Sequence, residues 1–142
     1  MVKKILVDSN ILIALYCPQD SQHLKAKKII ELLTQDKVEF FIHSLIILEV
    51  LTVLKQKTKT EILKKVKQYL FDPNYYILLE EKFLLQPDDF VFRIFEENKN
   101  ISLVDAKLIE LAFLKNLNLL TLDQRLRRTA KKYQINLLPS KN

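Results

Sequence analysis

Four acidic residues, far apart in the chain, are the candidates for chemistry. Asp8 and Asp123 each follow a short apolar run, Asp105 stands in the first turn of a predicted helix, and Glu49 lies inside an apolar segment. Carboxylates that lie close together repel one another, and they must either take up protons or bind a cation. Mg²⁺ and Mn²⁺ suit a few carboxylates together with a substrate phosphate. The sequence therefore raises the hypothesis of a divalent metal site.

Each acid alone also has a purely structural explanation. Aspartate is a good N-cap, so Asp8 could serve only to begin a helix, and the same holds for Asp105 and Asp123. Glu49 could reach the edge of its helix or pair with a lysine. For any single acid, the structural explanation and a role in a metal site both stay open. The set favours a common site because the carboxyl ends of parallel strands meet in one crevice.

The elements that must position these acids alternate between strands and helices. The run from Ile5 to Val7 is apolar without alternation, which indicates a strand covered on both faces, and a helix is predicted from Ser9. Further helices are predicted from Asp20 or Ser21 to about Gln35, from Leu45 to about Lys57, from Thr58 to Leu70, from Asp88 after Pro87 to about Asn98, from Ser102 to about Lys115, and from Gln124 to Tyr133. Further strands are predicted at Val38 to His43, Leu119 to Leu122 and Ile135 to Leu138, with an extended edge segment at Tyr75 to Leu79. This order predicts one α/β domain over residues 1–142, with a parallel sheet of four to five strands and helices on both faces.

Two of the predicted helices carry specific expectations about burial. The helix from Leu45 to about Lys57 is apolar on nearly every side, which is typical of a buried helix, so Glu49 is expected to be buried as well. In the helix from Thr58, the residues expected to face inward are Ile62, Val66, Tyr69 and Leu70.

Composition narrows the possible functions. The formal net charge of +6 favours a polyanionic partner. The chain has no glycine, which excludes the glycine-dependent P-loop and dinucleotide-binding motifs. The single cysteine, Cys17, cannot form an internal disulfide, and no signal peptide or membrane span is predicted, so a cytoplasmic location is expected. His23 and His43 are isolated, which argues against a zinc site.

Four short motifs resemble those of PIN-domain proteins, most closely the VapC-type toxins of toxin–antitoxin pairs. In chain order they are Val7-Asp8-Ser9-Asn10-Ile11-Leu12, Glu49 in the third helix, Ser102-Leu103-Val104-Asp105-Ala106, and Leu120-Thr121-Leu122-Asp123. The resemblance covers essentially the whole chain. It departs from the family pattern at Lys115-Asn116-Leu117-Asn118, where a glycine is common, and at Leu126, where an aromatic residue is common.

The resemblance implies a Mg²⁺- or Mn²⁺-dependent endoribonuclease that forms a homodimer and is inhibited by a small antitoxin. It places Asp8, Glu49, Asp105 and Asp123 at the family's acidic positions. It places Asn10, Ser102 and Thr121 at polar positions that support them. Asp8 and Asp105 are the expected direct metal ligands, whereas Glu49 and Asp123 would act directly, through water, or by orienting the nucleophile.

Basic residues next to Asp123 are candidates for binding the RNA. Arg125, Arg128 and Lys132 recur at helical spacing and are expected on one outward face. They could hold phosphates that flank the cleaved bond. An ordinary solvated helix face explains any one of them equally well.

Other functions fit the sequence less well. A PIN-fold nuclease of RNA processing and a non-catalytic PIN-like binding module stay open as alternatives, although the complete set of acids argues against the second. A phosphoacceptor receiver domain needs a pair of acids at the first strand end, where this chain has Ser9 and Asn10. A phosphatase of the Asp-x-Asp type is disfavoured because Asn10 stands in place of the second aspartate.

Overall fold

The computed structural model describes residues 1–80 and 89–140 and contains a single parallel sheet. Its elements are β1 (Lys3–Val7), α1 (Ser9–Tyr16), α2 (His23–Leu33), β2 (Val38–His43), α3 (Ser44–Lys57), α4 (Thr60–Leu70), β3 (Ile77–Leu79), α5 (Phe90–Glu97), α6 (Leu103–Lys115), β4 (Asn118–Leu120), α7 (Gln124–Lys132) and β5 (Leu137–Leu138). The strand order is β3-β2-β1-β4-β5, and all four pairings are parallel. The predicted fold class, with helices on both faces of the sheet, is confirmed.

The strand order creates a crevice between β1 and β4. From β1 the chain proceeds to β2 and β3 on one side, and it then returns to β4 and β5 on the other side. In open α/β sheets, ligands bind where the direction of winding reverses in this way, outside the carboxyl ends of the strands. Asp8 directly follows β1, and its amide nitrogen lies 3.0 Å from the carbonyl oxygen of Leu120 at the end of β4. The fold therefore brings residues from both ends of the chain to this crevice.

The core lies between the sheet and its helices. Ile5, Leu6 and Val7 in the central strand have no exposed surface, as expected of a strand covered on both faces. His43 is buried at the start of α3, where its Nδ1 accepts a hydrogen bond from the amide of Leu45, so it has a structural role. None of the helices within the described ranges is both long and apolar enough to span a membrane.

The expected burial of Glu49 is wrong. α3 buries the stripe formed by Ile46, Val50 and Leu54, whereas Leu48 is 64% exposed and Glu49 is exposed beside it. Residues 46, 50 and 54 recur at helical spacing, so they share the face that contacts the core. The apolar residues on the opposite side of α3, such as Leu48, predict a second buried face, but that side of the helix is exposed.

Several predicted boundaries and side-chain positions also differ. The N-cap of α2 is Gln22 rather than Asp20 or Ser21, α4 begins two residues later than predicted, and Ile62 and Tyr69 are exposed. They lie beside the stripe of Val66 and Leu70, which is the part of α4 that is buried. The predicted helix start at Pro87 and Asp88 lies outside the described residues, and α5 is observed from Phe90.

The strands near the C-terminus are shorter than predicted. β4 ends at Leu120, so Thr121 and Leu122 form a link between β4 and Asp123. The reason is that β1 has already ended at Val7, and α1 begins at Ser9, so no strand lies beside Thr121 on that side. β5 contains only Leu137 and Leu138.

Because glycine is absent, other residues occupy the left-handed backbone conformation. Asn116 ends α6 with a φ of 53°, and Gln134 follows α7 with a φ of 59°. Asparagine tolerates this conformation because its short polar side chain can form local hydrogen bonds. Glutamine lacks that advantage, so Gln134 is the position at which the missing glycine should cost stability.

We expect Gln134→Gly to stabilise the protein. The substitution removes the clash between Cβ and the backbone, and it should raise the free energy of unfolding by about 0.5–1 kcal/mol. Urea denaturation measures the change. The matched control is Gln68→Gly in the exposed interior of α4, which should lower stability by about 1 kcal/mol. A loss of stability in Gln134→Gly would contradict the assignment of strain to this residue.

Candidate active site

Asp8 is a buried carboxylate at the carboxyl end of the central strand. It caps α1, because its Oδ1 accepts a hydrogen bond of 2.7 Å from the amide of Ser9. Only 5% of the residue is exposed. A charge in such a place is costly unless several donors compensate for the lost water.

Asn10 and Thr121 supply those donors. The hydroxyl of Thr121 donates to Asp8 Oδ2 over 2.7 Å, and the carboxamide of Asn10 donates to the same oxygen over 3.1 Å. Asn10 also bonds to Thr121 Oγ1, and its own oxygen accepts from the amide of Leu122. The amide of Asp123 donates to Thr121 Oγ1 over 3.0 Å. The sequence motifs at residues 7–12 and 120–123 are thus one hydrogen-bonded unit.

Burial raises the pKa of Asp8 from 3.8 to about 6, in spite of these hydrogen bonds. The loss of hydration is the largest cause, and the hydrogen bonds from Thr121 and Ser9 oppose it. The negative charges of Asp105 and Glu49 add to the rise of this pKa. Asp8 thus holds its proton more strongly than an ordinary aspartate does.

Asp105 occupies the first turn of α6 within a capping box. Its amide donates to Ser102 Oγ over 3.0 Å, and its own Oδ2 accepts from the amide of Ser102 over 3.2 Å. Burial is the main cause that raises the pKa of Asp105. The charges of Asp123 and Glu49 add to this rise. The capping box predicted at Ser102 is confirmed, and Asp105 also interacts with the other acids.

Asp123 caps α7 while it belongs to the same group of charges. Its Oδ1 accepts hydrogen bonds from the amides of Arg125 and Leu126. Asp8 and Asp123 are therefore N-caps, and Asp105 is the third residue of a capping box whose N-cap is Ser102. All three aspartates also interact electrostatically with another acid of the set. A carboxylate can accept hydrogen bonds at the start of a helix and also belong to a group of interacting acids, so the structural explanation and a shared site are compatible.

The donor set fits a hard cation that keeps part of its water. Hydrogen bonds occupy three of the roughly four acceptor positions of Asp8, which leaves about one position for a ligand. Across residues 1–80 and 89–140, no three His, Cys, Asp or Glu side chains lie close enough together to enclose an ion. Mg²⁺ typically uses one or two carboxylates and retains several waters, which is the arrangement these separate carboxylates would allow.

The predicted basic face of α7 is only partly as expected. Arg125 and Arg128 are exposed, but the ammonium of Lys132 donates to Asn98 Oδ1 over 3.0 Å and thus contacts the end of α5. Arg127 was not predicted to matter. Its guanidinium donates to the carbonyl oxygens of Thr121, Leu138 and Pro139 at 2.8–3.0 Å, and it fixes the backbone that carries Thr121. No local pattern distinguishes Arg127 from its neighbours.

The raised pKa of Asp8 predicts how stability changes with pH in EDTA. Between pH 3.8 and about 6 the folded state keeps a proton that the unfolded chain releases, so this contribution is complete at low pH and is lost as the pH rises through 6. The loss should reach about 3 kcal/mol. Urea unfolding of wild type and Asp8→Asn between pH 4.5 and 7.5 tests this.

The slope with pH is the quantity to compare in that experiment. The absolute free energy of unfolding is less informative. In wild type, Asp8 Oδ2 accepts hydrogen bonds from two donors, so the amide group of an Asn side chain at this position would disturb the site at every pH. Asp36→Asn removes an exposed acid that precedes β2, and it should keep the wild-type slope. Equal slopes in wild type and Asp8→Asn would show that Asp8 does not have this pKa.

Comparison with known proteins identifies the family. The family model described as PIN domain matches residues 5–132. The structure is similar to that of Mycobacterium tuberculosis VapC20, described as a Sarcin-Ricin loop cleaving toxin, with a TM-score of 0.70 and 16% identity over 87% of this chain and 93% of that one. Comparison with curated protein sequences gives no significant match.

Two further solved structures share the fold. One is VapBC2 from Rickettsia felis bound to a DNA fragment from their promoter, with a TM-score of 0.61 and 14% identity over 96% of this chain and 97% of that one. The other is PAE2754 from Pyrobaculum aerophilum, with a TM-score of 0.56 and 23% identity over 89% of this chain and 84% of that one. The resemblance drawn from the sequence motifs is confirmed, and with a family match over most of its length this chain belongs to the PIN domain family.

Proposed function

We propose that this protein is a divalent-metal-dependent endoribonuclease and the toxin of a type II toxin–antitoxin pair. The observation that supports this most strongly is the buried Asp8 at the crevice between β1 and β4, under the influence of the charges of Asp105 and Glu49. Membership of the PIN family, whose members include nucleases, supports the reaction class.

The acids of the set have distinct proposed roles. Asp8 and Asp105 would hold Mg²⁺ or Mn²⁺, whereas Glu49 and Asp123 would bind it directly, bind it through water, or orient the nucleophilic water. When bound, the ion supplies Lewis acidity, which makes water more acidic and stabilises negative charge on the phosphate. The exposed position of Glu49 leaves its carboxylate accessible to water and substrate.

The polar residues of the site position these acids. Thr121 and Asn10 hold Asp8 Oδ2, so its orientation is fixed before any ligand arrives. Ser102 does the same for Asp105 through the capping box. Such fixed donors reduce the reorganisation that the reaction requires.

The proposed partners follow from charge and from similarity. The net charge of +6 attracts RNA, and we assign contacts with flanking phosphates to Arg125, Arg128 and Lys132. The similarity to VapBC2 from Rickettsia felis supports a small antitoxin as the inhibitor. A homodimer and a cytoplasmic location complete the proposal.

We expect Asp8→Asn and Asp105→Asn to abolish metal-dependent cleavage of RNA. Each removes a proposed metal ligand, so cleavage with Mn²⁺ should fall by about 100-fold or more, while Asp36→Asn keeps wild-type activity. Millimolar Mn²⁺ should also raise the melting temperature of wild type and Asp36→Asn more than that of the two site variants, because an ion that binds only the folded state stabilises it. Cleavage that persists in Asp8→Asn, with an undiminished response to Mn²⁺, would leave Asp8 as a helix cap only.

Glu49→Gln separates chemistry from folding. Since Glu49 is exposed, the substitution should leave the melting temperature in EDTA within about 2 °C of wild type while cleavage falls at least tenfold. Glu61→Gln, at an exposed acid in the first turn of α4, is the matched control and should cleave normally. Normal cleavage by Glu49→Gln would remove Glu49 from the site.

A further inference from the structure

A cleft of about 890 Å³ between α2 and α7 is bordered by cations on both sides. Its basic lining residues are Lys3, Lys25, Lys28, Arg127, Arg128 and Lys131. The described lining contains no acidic and no aromatic side chain. Lys25 and Lys28 come from one helix and Arg128 and Lys131 from another, so the two walls are charged alike. Like charges that face each other across a cleft favour an anionic occupant.

The cations of the cleft divide into two groups. Arg127 is committed to three backbone carbonyl oxygens and builds the wall rather than offering its charge to a ligand. Lys3, Lys25, Lys28, Arg128 and Lys131 are exposed. These five side chains therefore supply the charge that a ligand in the cleft would meet.

The cleft shares two residues with the candidate active site. Thr121 and Leu122 are among its lining residues, whereas none of the four acids lines it. The hydroxyl of Thr121 donates to Asp8, and the amide of Leu122 donates to Asn10. The segment that holds Asp8 in place therefore also forms part of the cleft wall.

We propose that this cleft binds the phosphate backbone of a single-stranded RNA on one side of the cleaved bond. The inference rests on the proposed nuclease function, because the cleft shares Thr121 with the hydrogen-bonded unit around Asp8. The exposed charges of the cleft are cationic and its described lining offers no aromatic surface on which a base could stack, so the contacts are to phosphates, which carry no sequence information. An acidic peptide would also satisfy the charge, but it carries no phosphodiester for the proposed catalytic acids.

The cleft overlaps the basic face predicted from the sequence at one residue. Of Arg125, Arg128 and Lys132, only Arg128 lines the cleft. Lys25 and Lys28 lie about a hundred residues before α7 in the chain. Helical periodicity within α2 or α7 cannot reveal that their basic residues face a common cleft.

The test measures binding of a fluorescent 12-nucleotide single-stranded RNA in EDTA, where metal-dependent cleavage does not interfere. The cleft variant is Lys25→Gln/Lys28→Gln/Lys131→Gln. The control variant, Lys27→Gln/Lys64→Gln/Lys65→Gln, removes the same charge from exposed positions that do not line the cleft, one of them on α2. Loss of about three phosphate contacts should weaken binding of the cleft variant by roughly 10- to 100-fold and reduce the slope of log K against log salt by about 2.

The outcomes distinguish this inference from the proposed function. Weaker binding in the cleft variant alone, equal for poly(U) and mixed sequences, supports the cleft. Equal weakening in both variants overturns the cleft and leaves the nuclease proposal untouched. Binding of a labelled poly-glutamate peptide in place of RNA, lost in the cleft variant, overturns RNA as the occupant. Cleft-dependent RNA binding by a wild-type protein that cuts no RNA with Mn²⁺ overturns the nuclease proposal alone.

Discussion

The burial of one carboxylate, that of Asp8, constrains the rest of this structure. Asp8 follows the central strand β1 beside the end of β4 and has almost no contact with water, so its carboxylate must be surrounded by donors or hold a proton. Ser9, Asn10 and Thr121 provide those donors, and Thr121 comes from the other end of the chain. Thr121 is held in turn by Arg127, which fixes its carbonyl oxygen. The geometry at Asp8 therefore depends on the pairing of β1 with β4, because that pairing brings Thr121 next to Asp8.

The same side chains stabilise helices and oppose the stability of the whole. Asp8, Asp105 and Asp123 each accept backbone amides at the start of a helix, where a negative charge is favourable. Burial is the main cause that raises the pKa of Asp8 and of Asp105, and the mutual repulsion of the acids, with that of Glu49, adds to this rise and destabilises the charged folded state. The caps keep the acids in place although they repel one another.

Much of the fold could be predicted because short local sequence patterns indicate where strands end and where helices are capped. The parallel sheet and the capping box at Ser102 depend on such patterns, and the structure confirms both. The prediction that Glu49 is buried was wrong because an apolar sequence does not determine how many faces of a helix are covered by neighbouring elements. The outer side of α3 is uncovered, and Leu48 is exposed there. The cationic cleft and the role of Arg127 depend on contacts between distant segments, which periodicity within one helix does not encode.

The distance along the chain between Asp8 and Thr121 matters while the protein is being made. During translation Asp8 and Glu49 leave the ribosome early, but the central strand lacks its neighbour β4 until residues 118–120 have been synthesised. Contacts between such distant residues form only after the intervening segments have been made and ordered. A nascent chain that ends before β4 thus carries Asp8 and Glu49 without Thr121, the residue that donates to Asp8 Oδ2. The order of synthesis therefore leaves this hydrogen-bonded unit unassembled until the segment after β4 has been made.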